Sequence, residues 1–222
     1  MVIPISLSVA KAFLIKETGS ILVDTGTPDN ADKILKKLNE NGVAPKTLRS
    51  IIITHGHYDH LGSAFALREI TGAPIVMHKL DAVSARTSDS QKLKGRGWLG
   101  KMVAPLMNVN KTKTPRFSTF EPDIIIEGEM SLESYGIVGK IMPTPGHTPG
   151  SISIGLASGE VIIGDLLMGG FLFPKRPNFP FILNNMEQVK VSIKSILQLN
   201  PKIIYCTHGG PFEPKDVVAR FS

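Results

Sequence analysis

The 222 residues hold one cysteine, Cys206, so no disulfide can close within the chain. The first residues, MVIPISLSVAKAFLIKETG, also lack the basic start, apolar core and small-residue cleavage site of a secretory signal. Together these absences predict a reducing compartment, the cytoplasm by default. No run of about 18 apolar residues occurs, which excludes a membrane-spanning helix. What is present is a chain that is 42% hydrophobic, long enough for one well-packed domain over residues 1–222 and short for two with separate cores.

The net charge of +6 is unevenly spread. Between residues 84 and 116, Arg86, Lys92, Lys94, Arg96, Lys101, Lys111, Lys113 and Arg116 accompany one acid, Asp89, so this segment carries +7 and the rest of the chain −1. A local excess implies a local surface that attracts anions. The same segment sets Leu99, Met102, Val103, Leu106 and Met107 at helical spacing, with Pro105 placed to kink the helix and Gly95, Gly97 and Gly100 near its entry. It lies in a stretch, about 81–121, that interrupts the strand and helix rhythm and reads as an insertion. The expectation is a basic lid over a neighbouring site; a homodimer contact through 97–109 and an anionic membrane surface are the other covers for its apolar face.

Elsewhere strands predominate, with helices between them. ILVDTG ends an early strand, and a helix is predicted over 28–41, opened by Pro28 and closed by Gly42. A buried strand at 50–53 precedes THGHYDHLG, a helix follows at 63–70, and further strands are predicted at 74–77, 123–127 and 137–141. SISIGL and EVIIGD form a hairpin about Ala157, Ser158 and Gly159; a helix then runs over 185–199, and KIIYC delivers THGG. Each histidine-rich turn follows an apolar run, where a rigid sheet positions loops for chemistry.

The hexapeptide His55-Gly56-His57-Tyr58-Asp59-His60 holds three of the six histidines and one carboxylate. Imidazole nitrogen and carboxylate oxygen suit zinc and related borderline ions. In a turn rather than a helix, neighbouring side chains fan apart, so one loop can serve two ions. His147 in PGHTPG and His208 in THGGP stand in similar loops, and Asp165 follows EVIIG in the same position. Each alone reads as a turn or cap residue; the combination is the signal. His78 matches none of these positions and reads as a strand-end residue, and Cys206 as a small buried hydrophobe. Phe171, Phe173, Phe179 and Phe181, interleaved with Pro174, Pro177 and Pro180, are predicted to wall a pocket for hydrophobic acyl or leaving groups.

On these residues the chain resembles the metallo-β-lactamase superfamily, and closely its glyoxalase II-like hydrolases. HGHYDH matches the HxHxDH motif, the GHTPG turn is intact, Gly164-Asp165 supplies a bridging aspartate, and His208 is in place; the resemblance runs over 22–211. It implies an α/β (α+β) fold, a four-layer αββα sandwich with the site at one edge of the paired sheets. It further implies two divalent ions per chain, zinc first, with iron or manganese as alternatives. His55, His57 and His147 would bind the first ion, Asp59, His60 and His208 the second, and Asp165 would bridge them. The implied reaction is attack by a metal-bridging hydroxide on an ester, thioester or lactone-type acyl carbon, with Asp59 orienting the nucleophile. Asp24, in VDTG, is expected to accept a hydrogen bond from a ligand histidine and fix its tautomer.

The family is broad, so fold alone does not choose the reaction. Zinc β-lactamases as a group lack the bridging aspartate that Asp165 supplies, which disfavours that activity. Glyoxalase II carries a C-terminal helical region that binds glutathione, whereas 14 residues follow His208 here, which disfavours glutathione thioesters. The alternative function is a phosphodiesterase or nuclease that uses the +7 segment to hold phosphates. That segment offers Trp98 as its one aromatic, so a small molecule, anionic or with an apolar acyl group, is the expected partner rather than nucleic acid. A metal scaffold without activity is the third reading, and a full set of seven ligands argues against it.

Overall fold

The computed structural model describes residues 1–88, 95–97, 100–102, 117–170 and 173–221. The first sheet contains β1 (Val2–Ser6), β2 (Lys11–Lys16), β3 (Ser20–Val23), β4 (Ser50–Ile52), β5 (Ile75–His78) and β6 (Ile124–Ile126), in that spatial order. β1 to β3 pair antiparallel, and β3 to β6 pair parallel. Parallel neighbours need crossovers. α1 (Ala31–Glu40), α2 (Tyr58–Leu61), α3 (Ala64–Thr71) and α4 (Ala82–Thr87) lie in them.

The second sheet contains β7 (Met130–Ser131), β8 (Gly139–Pro143), β9 (Ile152–Leu156) and β10 (Glu160–Ile162). A small hairpin of β11 (Met168–Gly169) and β12 (Pro177–Asn178) follows, then α5 (Met186–Gln198), β13 (Ile203–Tyr205) and α6 (Pro214–Phe221). β13 pairs parallel with β10, which gives the order β13-β10-β9-β8-β7.

Period-two alternation in the strands decides the layering. Phe13, Ile15, Ile21, Val23, Ile52 and Val76 of the first sheet meet Ile141, Ile152, Ile154 and Ile162 of the second in one buried cluster. Their neighbours Leu14, Leu22, Ile51 and Met77 turn the other way, onto Ile34 and Leu38 of α1 and Leu67 of α3. On the far side, Met142, Val161 and Ile204 pack with Val189, Ile193 and Ile196 of α5 and Val217 of α6. The order is helix, sheet, sheet, helix, the αββα sandwich. Fully burying one such aliphatic side chain contributes about 1.5–3 kcal/mol.

Several boundaries depart from expectation for local reasons. α1 begins at Ala31 rather than Pro28, because Asp29 adopts a left-handed backbone (φ 68°) that no helix continues through. Tyr58–Leu61 winds into a helical turn rather than an open one, as His60 N and Leu61 N both donate to the His57 carbonyl. The strand expected at 137–141 is Gly139–Pro143, since Ile137 N donates back to Leu132 O. α6 was not anticipated. At the two ends of the stretch 81–121, Ala85, Phe117 and Phe120 belong to the core, and Phe120 N donates to Ala85 O. Most of the helix predicted around Pro105, and with it most of the 97–109 contact, falls outside the described residues.

Candidate metal centre

β3, β4 and β5 run parallel in one sheet; β8, β10 and β13 run in a common direction in the other. The six C-terminal ends deliver, in chain order, Asp24, the loop from His55, Asp81, His147, Asp165 and His208. Loops beyond the carboxyl ends of such strands leave their polar groups free of the sheet ladder, and sites gather there.

His55, His57 and His147 form one group, with His57 Nδ1 3.1 Å from both His55 Nε2 and His147 Nε2. Asp59, His60 and His208 form another, with Asp59 Oδ2 3.9 Å from His60 Nε2 and 3.3 Å from His208 Nε2. Asp165 Oδ2 faces both groups, 3.7 Å from His147 Nε2, 3.5 Å from His60 Nε2 and 3.3 Å from His208 Nε2. All seven side chains named from the sequence are thus brought together.

Four of the five rings are aimed by a partner behind them. His60 Nδ1 donates to Asp24 Oδ2 at 2.9 Å. The Thr54 hydroxyl donates to the same carboxylate (2.8 and 3.0 Å), so its oxygen is left to accept from His55 Nδ1 at 3.1 Å. Asp24 therefore orients one histidine of each group, directly for His60 and through Thr54 for His55, leaving both Nε2 atoms inward. His147 Nδ1 donates to the Ile182 carbonyl at 2.9 Å and His208 Nδ1 to the Val9 carbonyl at 3.2 Å. Asp24 is fully buried with φ 59°, a backbone state that a non-glycine residue keeps only when its surroundings hold it.

The electrostatics divide the groups. Burial, reinforced by neighbouring histidines, holds His55 well below the ordinary imidazole range and His57 and His147 at about 4. Asp165, Asp59 and their hydrogen bonds lift His208 to about 10. At His60 burial opposes the charge, yet Asp165, Asp24 and Asp59 outweigh it and raise the pKa well above the usual value. Burial likewise opposes ionisation of Asp59, but His60 and His208 pull it down to about 2.

His60 Nε2 and Asp165 Oδ1 are buried without a hydrogen-bond partner among the described residues. An unsatisfied buried polar atom costs about 1–3 kcal/mol, and a cation among them would relieve both. Converging imidazole nitrogens and carboxylates are also the donor types that divalent borderline metals take, so the residues fit such ions.

A model of the metallo-beta-lactamase superfamily matches residues 7–208. The chain belongs to this superfamily. With the histidine and aspartate clusters, membership makes it a metal-dependent hydrolase. A probable metallo-hydrolase of Methanocaldococcus jannaschii is 28% identical over 71% of this chain and 67% of the relative. A hydroxyacylglutathione hydrolase of Anaeromyxobacter dehalogenans is 28% identical over 66% of this chain and 41% of the relative. Among solved structures, the BLEG-1 B3 metallo-beta-lactamase superposes with a TM-score of 0.75 at 19% identity, covering 100% of this chain and 98% of that one.

The other residues singled out from the sequence lie as follows. His78 ends β5 and accepts from Leu80 N at 3.2 Å. Cys206 is buried beside the His208 loop, its pKa pushed up to about 12 by burial. Tyr58 packs toward the helix-side core, and Tyr205 sits edge-on to Phe13. Phe179 packs against Phe221 with centroids 4.5 Å apart and the rings tilted at 58°, under the Arg96 guanidinium. Phe173 and Phe181 are exposed, and Phe171 lies outside the described residues. Sequence reasoning missed Thr54 and Asp81. Asp81 could have been found, because it stands just past an apolar strand like the other site residues; Thr54 gave no signal beyond its place before His55.

Proposed function

We propose that the protein is a binuclear metal-dependent hydrolase that cleaves an ester, thioester or lactone-type acyl bond in a small molecule. The observation that carries the reading is Asp165, whose single oxygen Oδ2 lies within 3.7 Å of ring nitrogens from both groups. In this reading His55, His57 and His147 hold one divalent ion, Asp59, His60 and His208 hold the other, and Asp165 serves both. Zinc suits the donors first, with iron and manganese as alternatives. When bound, such ions supply an acidified water and polarise the scissile carbonyl.

The chain's own part is orientation and charge. Asp59 stays ionised at neutral pH and accepts a hydrogen bond from the attacking water, which aims it. Asp24 fixes His60 and, through Thr54, His55, so the inward nitrogens need no reorganisation. The name of the hydroxyacylglutathione hydrolase relative favours an acyl substrate. The described residues Gly95 and Arg96 lie on the His147 side. Arg96 N donates to Phe181 O at 2.7 Å, Gly95 bridges Ile182, and the Ile182 carbonyl is the partner of His147. Among the described cations of the basic segment, Arg86 pairs with Glu121 at 2.6 Å and Arg96 covers Phe179, which favours the phosphodiesterase reading less.

Zinc-loaded protein assayed against acyl esters, thioesters, lactones and phosphodiesters tests the proposal. Turnover of acyl substrates with about two ions per chain is expected. Turnover of phosphodiesters alone, or one ion per chain that Asp165→Ala leaves in place, overturns it.

A further inference from the structure

We propose that Asp81 is a positioning residue: it fastens the loop carrying His55 and His57 to the loop carrying His147, and so sets the spacing of the all-histidine group. Asp81 follows β5 and is 1% exposed. Its Oδ2 accepts from Gly56 N at 2.7 Å and from Thr148 Oγ1 at 2.6 Å, and its Oδ1 accepts from Gly150 N at 2.9 Å. Gly56 lies between His55 and His57, and Thr148 follows His147. One buried carboxylate thus holds the backbone on both sides of the 3.1 Å contacts between His57 Nδ1 and the other two rings. Hydrogen bonds to an ionised acceptor are roughly twice as strong as neutral ones, and a buried one left short of donors is costly, so the two loops are locked rather than merely adjacent.

The glycines independently point to the same contact. A Cβ at Gly150 would stand 2.5 Å from Asp81 Oδ1. At Gly56 it would stand 2.7 Å from Ser84 Oγ and 3.0 Å from the Asp81 carbonyl oxygen. The first variable position of HGHYDH, Gly56, and the last position of PGHTPG, Gly150, are therefore glycine because the Asp81 segment comes against them. The Asp59, His60 and His208 group is held from elsewhere, through Asp24 and the Val9 carbonyl.

The inference rests on the reading that the all-histidine group holds an ion. Zinc is titrated against a chromogenic chelator into His208→Ala protein, where the all-histidine group is intact, and into His147→Ala protein, where the other is intact, each with and without Asp81→Asn. Asp81→Asn is expected to weaken zinc about 10–100-fold in the first background and less than about threefold in the second. Unchanged affinity in both, or equal loss in both with a native circular dichroism spectrum, overturns it. If Asp81→Asn does not fold, Thr148→Val removes one of the three bonds and should give the same selective loss at about 3–10-fold, restored by Thr148→Ser; a loss that is absent or unselective overturns the inference. No zinc binding by His208→Ala protein would instead overturn the metal reading beneath it.

Discussion

In the group of His55, His57 and His147, burial and mutual repulsion keep the imidazoles neutral, with His57 and His147 at about 4. In the group of Asp59, His60 and His208, the carboxylates around the rings hold His208 at about 10 and His60 well above the ordinary value. The same side chain is thus set to opposite protonation states a few ångströms apart, by what surrounds it. The first group presents lone pairs to a cation with no proton to displace. The second balances its acids with protons that a cation must expel.

The largest expected effect comes from removing what the groups share. Asp165→Ala should lower activity by more than the roughly 10–100-fold that losing an outer partner costs, and should lower metal content with it. Metal analysis beside steady-state kinetics checks this; full activity at half the metal would break the picture of one carboxylate serving both groups. Asp24→Asn comes next, since it orients a histidine on each side; a loss of about 10–100-fold in metal affinity is expected, measured by chelator competition.

The metal-free protein should reveal the groups separately through pH. His57 and His147 sit near 4 when folded against about 6.5 unfolded, so their neutral burial is compatible with the fold above about pH 6.5 and destabilising as pH falls toward 4. His208 is raised to about 10, so its contribution is complete below about pH 6.5 and disappears as pH rises through 10. Each displaced proton tilts stability by about 1.4 kcal/mol per pH unit within its window. Urea midpoints across pH 4–10 should show His147→Gln flattening the acid limb and His208→Gln the alkaline one; the reverse assignment would break the comparison. The smallest effect is expected of Thr54→Val, which cuts the link from Asp24 to His55 and leaves Asp24 to His60 intact. A stability loss of about 1 kcal/mol by urea unfolding and a few-fold loss of activity are expected, with zinc affinity falling at the all-histidine group only.

The seven clustered side chains were legible as a group because histidine is scarce and each of their loops follows an apolar run, a pattern that a strand-end site imposes on any sequence. The layers were legible only as alternation, which states that a strand has two faces without saying what each face meets. That Phe117 and Phe120 join the core was not legible, because they look like any other loop aromatics until the chain brings Phe120 back to Ala85.

The sequence by itself determined the donor types, their order and the family, since these depend on residue identity and local spacing. Tertiary structure alone decided that Asp24 reaches His55 through Thr54, that Asp81 joins two loops distant in the chain, and that Phe179 packs on Phe221. It also decided which histidines are neutral and which charged. Those outcomes depend on distances of about 3 Å between residues far apart in the chain, which no local pattern encodes, and on burial, which exists only once the sheets have closed.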